Sequence, residues 1–475
     1  MTSKVLLVNP PWYRFFGKEF SAQPIGLCYI AGVLREGGYY VSVYNPDYNS
    51  KRQGEAILGD VFNAETHGKY SEILKDRDHS LWKEIESVII SHTPDIVGIS
   101  AMTGQYGSAL SIAKIVKDHD PDVPVVMGGI HPTALPEEVV EKEEVDIVVR
   151  GEGEYTFLEL VENIDGDLSS VLGITYKLQD KIVHNADRPL IRNLDELPFP
   201  ARDLILEKET YPSSAFGKMI GSRGCPHKCI FCSPDKIWNR KVRFRSPESV
   251  IDEIKDVQKE FGTTLFYFDD ADFTLNKKFV MRVCDLIIEE GLNITWSCEG
   301  RADELEDDMA KKMARAGCES ICIGVESGDE EILKKMNKGI TIEEIIDARN
   351  ILKKNNILFY AFFMIGFPWE DKSQVVKTSS FMRWLDPDIA SFNIATPYPG
   401  TGLYEQCKSE GTVPTDWENF LHQSPEMSLN KRIKRDEASQ LIQYAYELFG
   451  AYNKRKRAES LIDLMKDRQH HSLFR

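Results

Sequence analysis

Three cysteines, Cys225, Cys229 and Cys232, stand at C-x3-C-x2-C spacing just after the short apolar run 218–222. Three thiols on one tight loop converge on a soft metal, and iron–sulfur clusters are held by such thiolates. Three ligands are one short of closing a four-iron cluster, so one iron would be left for a non-protein ligand. A zinc site would recruit His227 as fourth ligand. His227 lies inside the tight loop, however, and no second C-x-x-C pair follows. Three buried structural cysteines are the plain alternative. Of Cys284, Cys298, Cys318 and Cys322, the first falls on a predicted helix and Cys298 and Cys322 on predicted strands, with Cys318 four residues before Cys322. Core packing accounts for them better than a second cluster, because free cysteine is among the most buried residue types.

On both sides of this loop, strand-length apolar runs alternate with helix-length stretches. The run 4–9 ends in Pro10-Pro11, as a buried parallel strand would. A helix is predicted over 25–36 with Gly37-Gly38 as its stop, then strands over 40–44, 95–100, 123–127 and 146–150, with a helix over 106–117. Residues 47–80 are polar and weakly periodic, and read as an insertion or lid. Residues 1–160 therefore predict a flavodoxin-like doubly wound parallel sheet. Such sheets bind ligands at the carboxyl ends of their strands. Here those ends carry Asn9 to Trp12 with Pro11, Ser100 to Thr103, Gly128-Gly129-Ile130-His131 and Gly151-Glu152-Gly153-Glu154. Small residues there either admit a large flat ligand or only make tight turns.

Residues 161–215 read as a connector, with a hairpin over 173–184 and a turn at Leu197-Pro198-Phe199-Pro200. Residues 216–401 predict six parallel strands, at 218–222, 265–269, 294–298, 320–325, 358–365 and 389–395, with helices between. Residues 402–475 read as helical. Their aromatic residues, Trp417, Phe420, Tyr444, Tyr446, Phe449 and Tyr452, either cover a pocket or serve helix packing. The run Lys454 to Arg457 reads as a solvated helix face, and the last residues as frayed.

Length and charge narrow the function. A chain of 475 residues implies two or three domains. The net charge of −17 argues against a nucleic-acid backbone as partner. No signal peptide precedes the first strand, and the longest apolar run, 357–369, is too short to span a bilayer. Nine cysteines with three clustered suit a reducing, cytoplasmic setting.

The segment 219–232 closely resembles the cluster-binding loop of radical S-adenosylmethionine (SAM) enzymes, with Phe231 matching the aromatic residue usual beside the last cysteine. The first domain resembles the cobalamin-binding domain that precedes many radical SAM domains. Ser100-x-Met102 and Gly128-Gly129 stand close to that family's Ser-x-Leu and Gly-Gly elements, but Asn-Pro-Pro-Trp-Tyr occupies the place of its Asp-x-His-x-x-Gly element. The resemblance therefore implies cobalamin bound without a histidine below the cobalt. It further implies a partial (β/α)6 barrel holding a [4Fe-4S] cluster on Cys225, Cys229 and Cys232. SAM would then lie against Phe231, Asp269, Arg301, Gly324, Glu326, Ser327, Gly366 and Pro368. Cobalamin would lie against Pro11, Trp12, Ser100, Thr103, Gly128, Gly129, His131, Gly151 and Glu152. The activity implied is methylation of an unactivated carbon through a 5′-deoxyadenosyl radical and methylcobalamin. Ring closure, rearrangement or oxygenation with the same cofactors is the alternative, and a non-catalytic cobalamin sensor a more distant one. A methylthiotransferase would carry a cysteine triad in the first domain, where only Cys28 stands. A small-molecule or lipid-like substrate and an external flavodoxin- or ferredoxin-type electron donor complete the expectation.

Overall fold

The computed structural model describes residues 3–16, 22–49, 64–179, 181–233, 235–413, 417, 420, 433, 437, 440–441, 443–445 and 447–456. The first part of the chain builds a seven-stranded sheet in the order β2-β1-β3-β4-β5-β6-β7. Its strands are β1 (Lys4–Val8), β2 (Tyr40–Tyr44), β3 (Ile96–Ser100), β4 (Val125–Gly128), β5 (Ile147–Val149), β6 (Ile174–Leu178) and β7 (Lys181–His184). The first five pair in parallel. Helices cover both faces, which is why β1 reads as a continuous apolar run. Val5 and Leu7 pack with the helices Ile25–Glu36 and Glu154–Asn163, while Leu6 and Val8 pack with Ser80–His92 and Tyr106–His119.

Two expectations for this part need correction. The stretch 47–80 contains the helix Ala64–Lys75 rather than only an irregular insertion, and residues 50–63 lie outside the described residues. Tyr70 is buried and donates to Gly104 O at 2.7 Å, with Ile73 and Leu74 beside it. So few packed residues leave a weak helical stripe. The hairpin β6–β7, expected in a connector, instead extends the first sheet antiparallel to β5. The three-residue β5 would otherwise be an edge, and Ile174, Thr175 and Tyr176 are buried against it.

The second part builds a six-stranded sheet in the order β15-β14-β13-β12-β11-β8. Its strands are β8 (Lys218–Met219), β11 (Leu265–Phe268), β12 (Thr295–Gly300), β13 (Cys318–Glu326), β14 (Leu358–Ile365) and β15 (Ile389–Ile394). Every neighbouring pair is parallel. The strand expected over 218–222 is split, because Gly221 N and Ser222 Oγ donate to the buried Asp270 carboxylate at 3.0 and 2.5 Å. The chain then leaves the sheet as β9 (Ser222–Arg223), antiparallel to β10 (Arg243–Phe244). Local chemistry sets the intervening helices. Pro247–Phe261 starts at Ser246, whose hydroxyl accepts from Ser249 N at 3.1 Å, and stops at Gly262 with φ 68°.

One apolar core runs through both sheets, bridged by Ala201, Ile205, Tyr211 and Phe216. Within the joint Glu253 is wholly buried, 2.6 Å from Arg202 and bonded also to Arg245. Burial alone would raise its carboxyl, but the two arginines hold it below the usual range.

After the helix Gly402–Ser409 the chain returns to the first sheet, where Trp417 packs its edge on His131 and donates to Glu138. Residues 447–456 are helical and lie on the helix-covered side of the second sheet. There Phe449 meets Phe363 and Phe392, while Asn453 bonds both Ala390 N and Ala390 O at 3.0 and 2.7 Å. Phe449 and Tyr452 thus serve packing, whereas Phe420 lines a cavity. Tyr446, Arg457 and the expected frayed tail lie outside the described residues.

Removing one partner from a buried ionic group leaves the others uncompensated, at a cost of about 3–5 kcal/mol. Glu253→Leu, which strands Arg202 and Arg245, is expected to lower stability by about that much in urea unfolding. Arg35→Ala, at the half-exposed pair with Asp203, should change it by about 1 kcal/mol at most.

Candidate active site

The cysteine loop leaves β9 and crosses the carboxyl ends of the second sheet's strands. Backbone bonds pin it there: Ile230 N donates to Met336 O at 3.0 Å and Leu403 N to Ile230 O at 2.8 Å. Asn337 Nδ2 adds a bond to Lys228 O at 2.8 Å. Phe231 packs edge-on against Phe367, ring centroids 6.2 Å apart, in a small apolar cluster. The three thiols are partly exposed, unlike the six other free cysteines, all buried. Partial burial raises the Cys225 thiol.

His227 lies 3.1 Å from Glu304 Oε1 and 3.4 Å from Asp272 Oδ2, and these carboxylates raise its imidazole to about 9. Donor atoms of Cys225, His227 and Asp272 all lie within 4.8 Å of one another. His227 is engaged by two carboxylates, while three soft thiolates with one metal position left to an outside ligand are the donor set that fits an iron–sulfur cluster. Asp272 and Glu304 are thus functional neighbours of the loop. In the sequence Asp272 stands in the acidic run 269–272, whose groups read either as holding SAM or substrate or as capping the next helix, and Glu304 carries no motif.

Beyond the loop, β13 ends at Glu326 with φ 63°, a left-handed backbone unusual for glutamate and held here by an ion pair. Glu326 Oε1 lies 2.9 Å from Lys338 Nζ, both groups being buried. Burial alone would lower the Lys338 amine, but Glu326 raises it. A Cβ on Gly324 would collide with Glu326 Oε1 and lie 2.6 Å from Lys338 Nζ. Gly324 therefore makes room for this pair first. Arg301 grips Asp303 through two bonds of 3.0 and 3.1 Å and donates to Lys338 O at 3.0 Å. Lys338 went unnoticed in the sequence because its loop carries no pattern.

Three expected contacts are redirected. Asp269 pairs with Lys218 at 2.7 Å on the sheet's uncovered face. Ser327 is fully buried, its hydroxyl 3.0 Å from Thr378 Oγ1 and accepting from Asp329 N at 3.1 Å. Pro368 is buried in the loop after β14. In that loop Gly366 N and Phe367 N donate to Glu370 Oε2 at 2.6 and 3.3 Å.

The strand ends of the first sheet open on two cavities. One, of about 190 Å³, is lined by Ser100, Gly128, Gly129, Gly151 and Glu152, and roofed from the second part by Ile220, Arg223, Ile237 and Trp238. Gly129, with φ 103°, is required there, since its Cβ would lie 2.8 Å from Ala101 O. The other, of about 210 Å³, lies between the parts, lined by Trp12, Met102 and Thr103 on one side and Ser233 and Tyr398 on the other. Small residues and cavities at these strand ends suit the approach of a flat ligand.

Pro11 and His131 line neither cavity. The Pro11 carbonyl accepts from Ser108 Oγ at 2.9 Å, and His131 is enclosed beside Tyr106 with Nδ1 3.2 Å from Thr103 Oγ1. Burial pushes His131 down to about 3. Glu152 reaches its cavity, but Arg223 and Arg243 occupy its carboxylate at 3.1 and 2.8 Å.

Burial pushes Glu370 up to about 8 against an unfolded value near 4.5. The folded state then keeps a proton that the unfolded chain releases, so this group's contribution declines as pH rises from 4.5 and is lost through about 8. Glu370→Gln keeps an acceptor for Gly366 N without the charge. It should melt several degrees above the unsubstituted protein at pH 8.5, with the gap shrinking toward pH 5.

Comparison with known proteins agrees with this geometry. The B12 binding domain model matches residues 19–161 and the Radical SAM superfamily model residues 219–382. The uncharacterized methyltransferase PH0819 of Pyrococcus horikoshii is 36% identical, over 94% of this chain and 92% of its own. The anaerobic magnesium-protoporphyrin IX monomethyl ester cyclase of Rubrivivax gelatinosus is 29% identical, over 89% of this chain and 73% of its own. Among solved structures, the radical SAM methyltransferase TsrM of Kitasatospora setae, with cobalamin and a [4Fe-4S] cluster bound, shares the fold. It superposes with TM-score 0.64 at 19% identity, covering 86% of this chain and 75% of that one. The paired domain matches and the full-length likeness to PH0819 place this chain in the cobalamin-dependent radical SAM enzyme family.

Proposed function

We propose that this chain is a cobalamin-dependent radical SAM methyltransferase acting on an unactivated carbon of a small-molecule or lipid-like substrate. The observation that carries the reading is the cavity in which Trp12, Met102 and Thr103 of the first sheet face Ser233, the neighbour of Cys232. It puts the strand ends of the first sheet next to a three-thiol loop. When bound, a reduced [4Fe-4S] cluster with SAM supplies a 5′-deoxyadenosyl radical and methylcobalamin supplies the methyl group.

The chain's own residues bind and orient. Cys225, Cys229 and Cys232 hold the cluster, and the His227–Asp272–Glu304 clasp steadies their loop. Arg301 and the Glu326–Lys338 pair, at adjoining strand ends, offer a carboxylate and two cations to the zwitterionic end of SAM. Gly366, beside Phe367 on which Phe231 packs, would make the floor for its adenosine. The strand-end loops of the first sheet receive cobalamin from below. His131, enclosed in the fold and lining neither cavity, would not serve as a ligand to the cobalt. The second sheet is read as a partial (β/α)6 barrel. Residues 447–456 close its side, and Phe420 lines the cavity between the parts.

Ring closure by the same cofactors is the second reading, favoured by the likeness to the magnesium-protoporphyrin ester cyclases. A flavodoxin- or ferredoxin-type donor in a reducing cytoplasm would suit free cysteines at the site. No helix among the described residues is long and apolar enough to cross a membrane.

The test is iron, sulfide and cobalt content of anaerobically reconstituted protein, with 5′-deoxyadenosine formation in the same sample. Four iron per chain, bound cobalt and SAM cleavage are expected. Iron without cobalt, after incubation with cobalamin, would overturn the role of the first sheet. Cys229→Ala should abolish cluster-dependent SAM cleavage and leave cobalamin binding within about twofold, since separate residues form the two sites.

A further inference from the structure

We infer that the face of the second sheet left uncovered by the described residues accepts a substrate carrying a protonated amine on an aromatic or similarly flat apolar body. This deepens the radical enzyme reading and rests on it. Strand alternation separates two faces. On β12 and β14, residues facing the helices are buried while the alternate ones stay partly exposed. On β8, β11 and β12 the uncovered side carries Lys218, Tyr267, Asp269 and Glu299, and on β14 it carries Tyr360 and Phe362. The face is polar and ionic at one side and aromatic at the other.

Its charges do not cancel. Lys218 Nζ is 2.7 Å from Asp269 Oδ2, a matched pair. Tyr267 Oη donates to Glu299 Oε1 at 2.9 Å. That is one hydrogen bond for a carboxylate with about four acceptor sites. Lys218 and Lys338 also draw on it, but each is already paired, with Asp269 and Glu326, so one negative charge is left over. Burial raises the Glu299 carboxyl, and a bound cation would reverse that shift.

The spacing matches an extended molecule. Glu299 lies opposite Cys322, and Cys322 opposite Tyr360, so carboxylate and ring stand two strands apart. That is about 10 Å across the sheet. The Tyr360 and Phe362 rings, centroids 5.0 Å apart, form a platform for a flat apolar group. An ammonium at Glu299 with its body on this platform satisfies both ends. A carboxylate at the same place meets like charge, and a neutral group leaves the surplus charge unmatched.

The experiment uses reconstituted holoenzyme with its iron, cobalt and SAM measured. Calorimetry compares 4-phenylbutylamine, the neutral pentylbenzene and the acid 5-phenylpentanoate. The amine is expected to bind at least about tenfold tighter than either, a preference worth about 1.4 kcal/mol. Glu299→Gln should remove that preference while leaving pentylbenzene binding unchanged. Equal or tighter binding of the acid overturns the inference, as does failure of all three to bind at millimolar concentration. A preference that survives Glu299→Gln overturns it too. The comparison in the unsubstituted protein decides alone should the variant lose its cofactors. Absence of 5′-deoxyadenosine formation would count against the radical reading and leave the amine preference to be judged on binding.

Discussion

Buried carboxylates clamped between arginines fix how the two sheets meet, and the site depends on that junction. Glu253 sits between Arg202 and Arg245, while Glu152 and Glu154 reach across to Arg223, with Arg243 completing the second group. A buried ion demands a partner of opposite charge in good geometry, because water cannot replace it. Small slips of one sheet along the other would strand these charges. Arg223 is also the residue two before Cys225, so the same contacts that lock the joint set where the cysteine loop begins.

The strand ends around that loop are arranged in advance. Glu326 is held in a left-handed backbone by its pair with Lys338, and Gly324 gives both the space they need. Arg301 is kept in place by Asp303 and a backbone carbonyl. Groups fixed this firmly lose little freedom when a ligand arrives, which favours tight and oriented binding. Glu370 does similar work for the loop after β14, at the cost of a proton retained in the interior.

Much of this architecture was legible in the sequence. The helix 25–36 and the strands 40–44 and 358–365 have the predicted limits, because each is a sharply bounded run with a clear stop. The cysteine loop was legible because thiol spacing encodes chemistry directly. What the sequence hid lies in long-range pairing. Nothing near Lys338 predicts Glu326, nothing near Glu304 predicts His227, and nothing near Arg223 predicts Glu152. Ser327 and Pro11 looked like ligand contacts because they stand at strand ends, yet their polar groups are spent on Thr378 and Ser108. The hairpin β6–β7 was placed in a connector because pairing to a short β5 leaves no mark in local composition.

Among the described residues the second sheet does not close on itself, and β15 is its last strand. Asn453 meets that edge with a side-chain amide that donates and accepts as a neighbouring strand would at Ala390. An unpaired edge is a template for another chain. During synthesis the ribosome releases β15 some sixty residues before Asn453. Until the terminal helix emerges, nascent chains on one messenger present bare edges to one another. Truncation ahead of that helix would thus be felt first as aggregation in the cell, with the site's own residues all present.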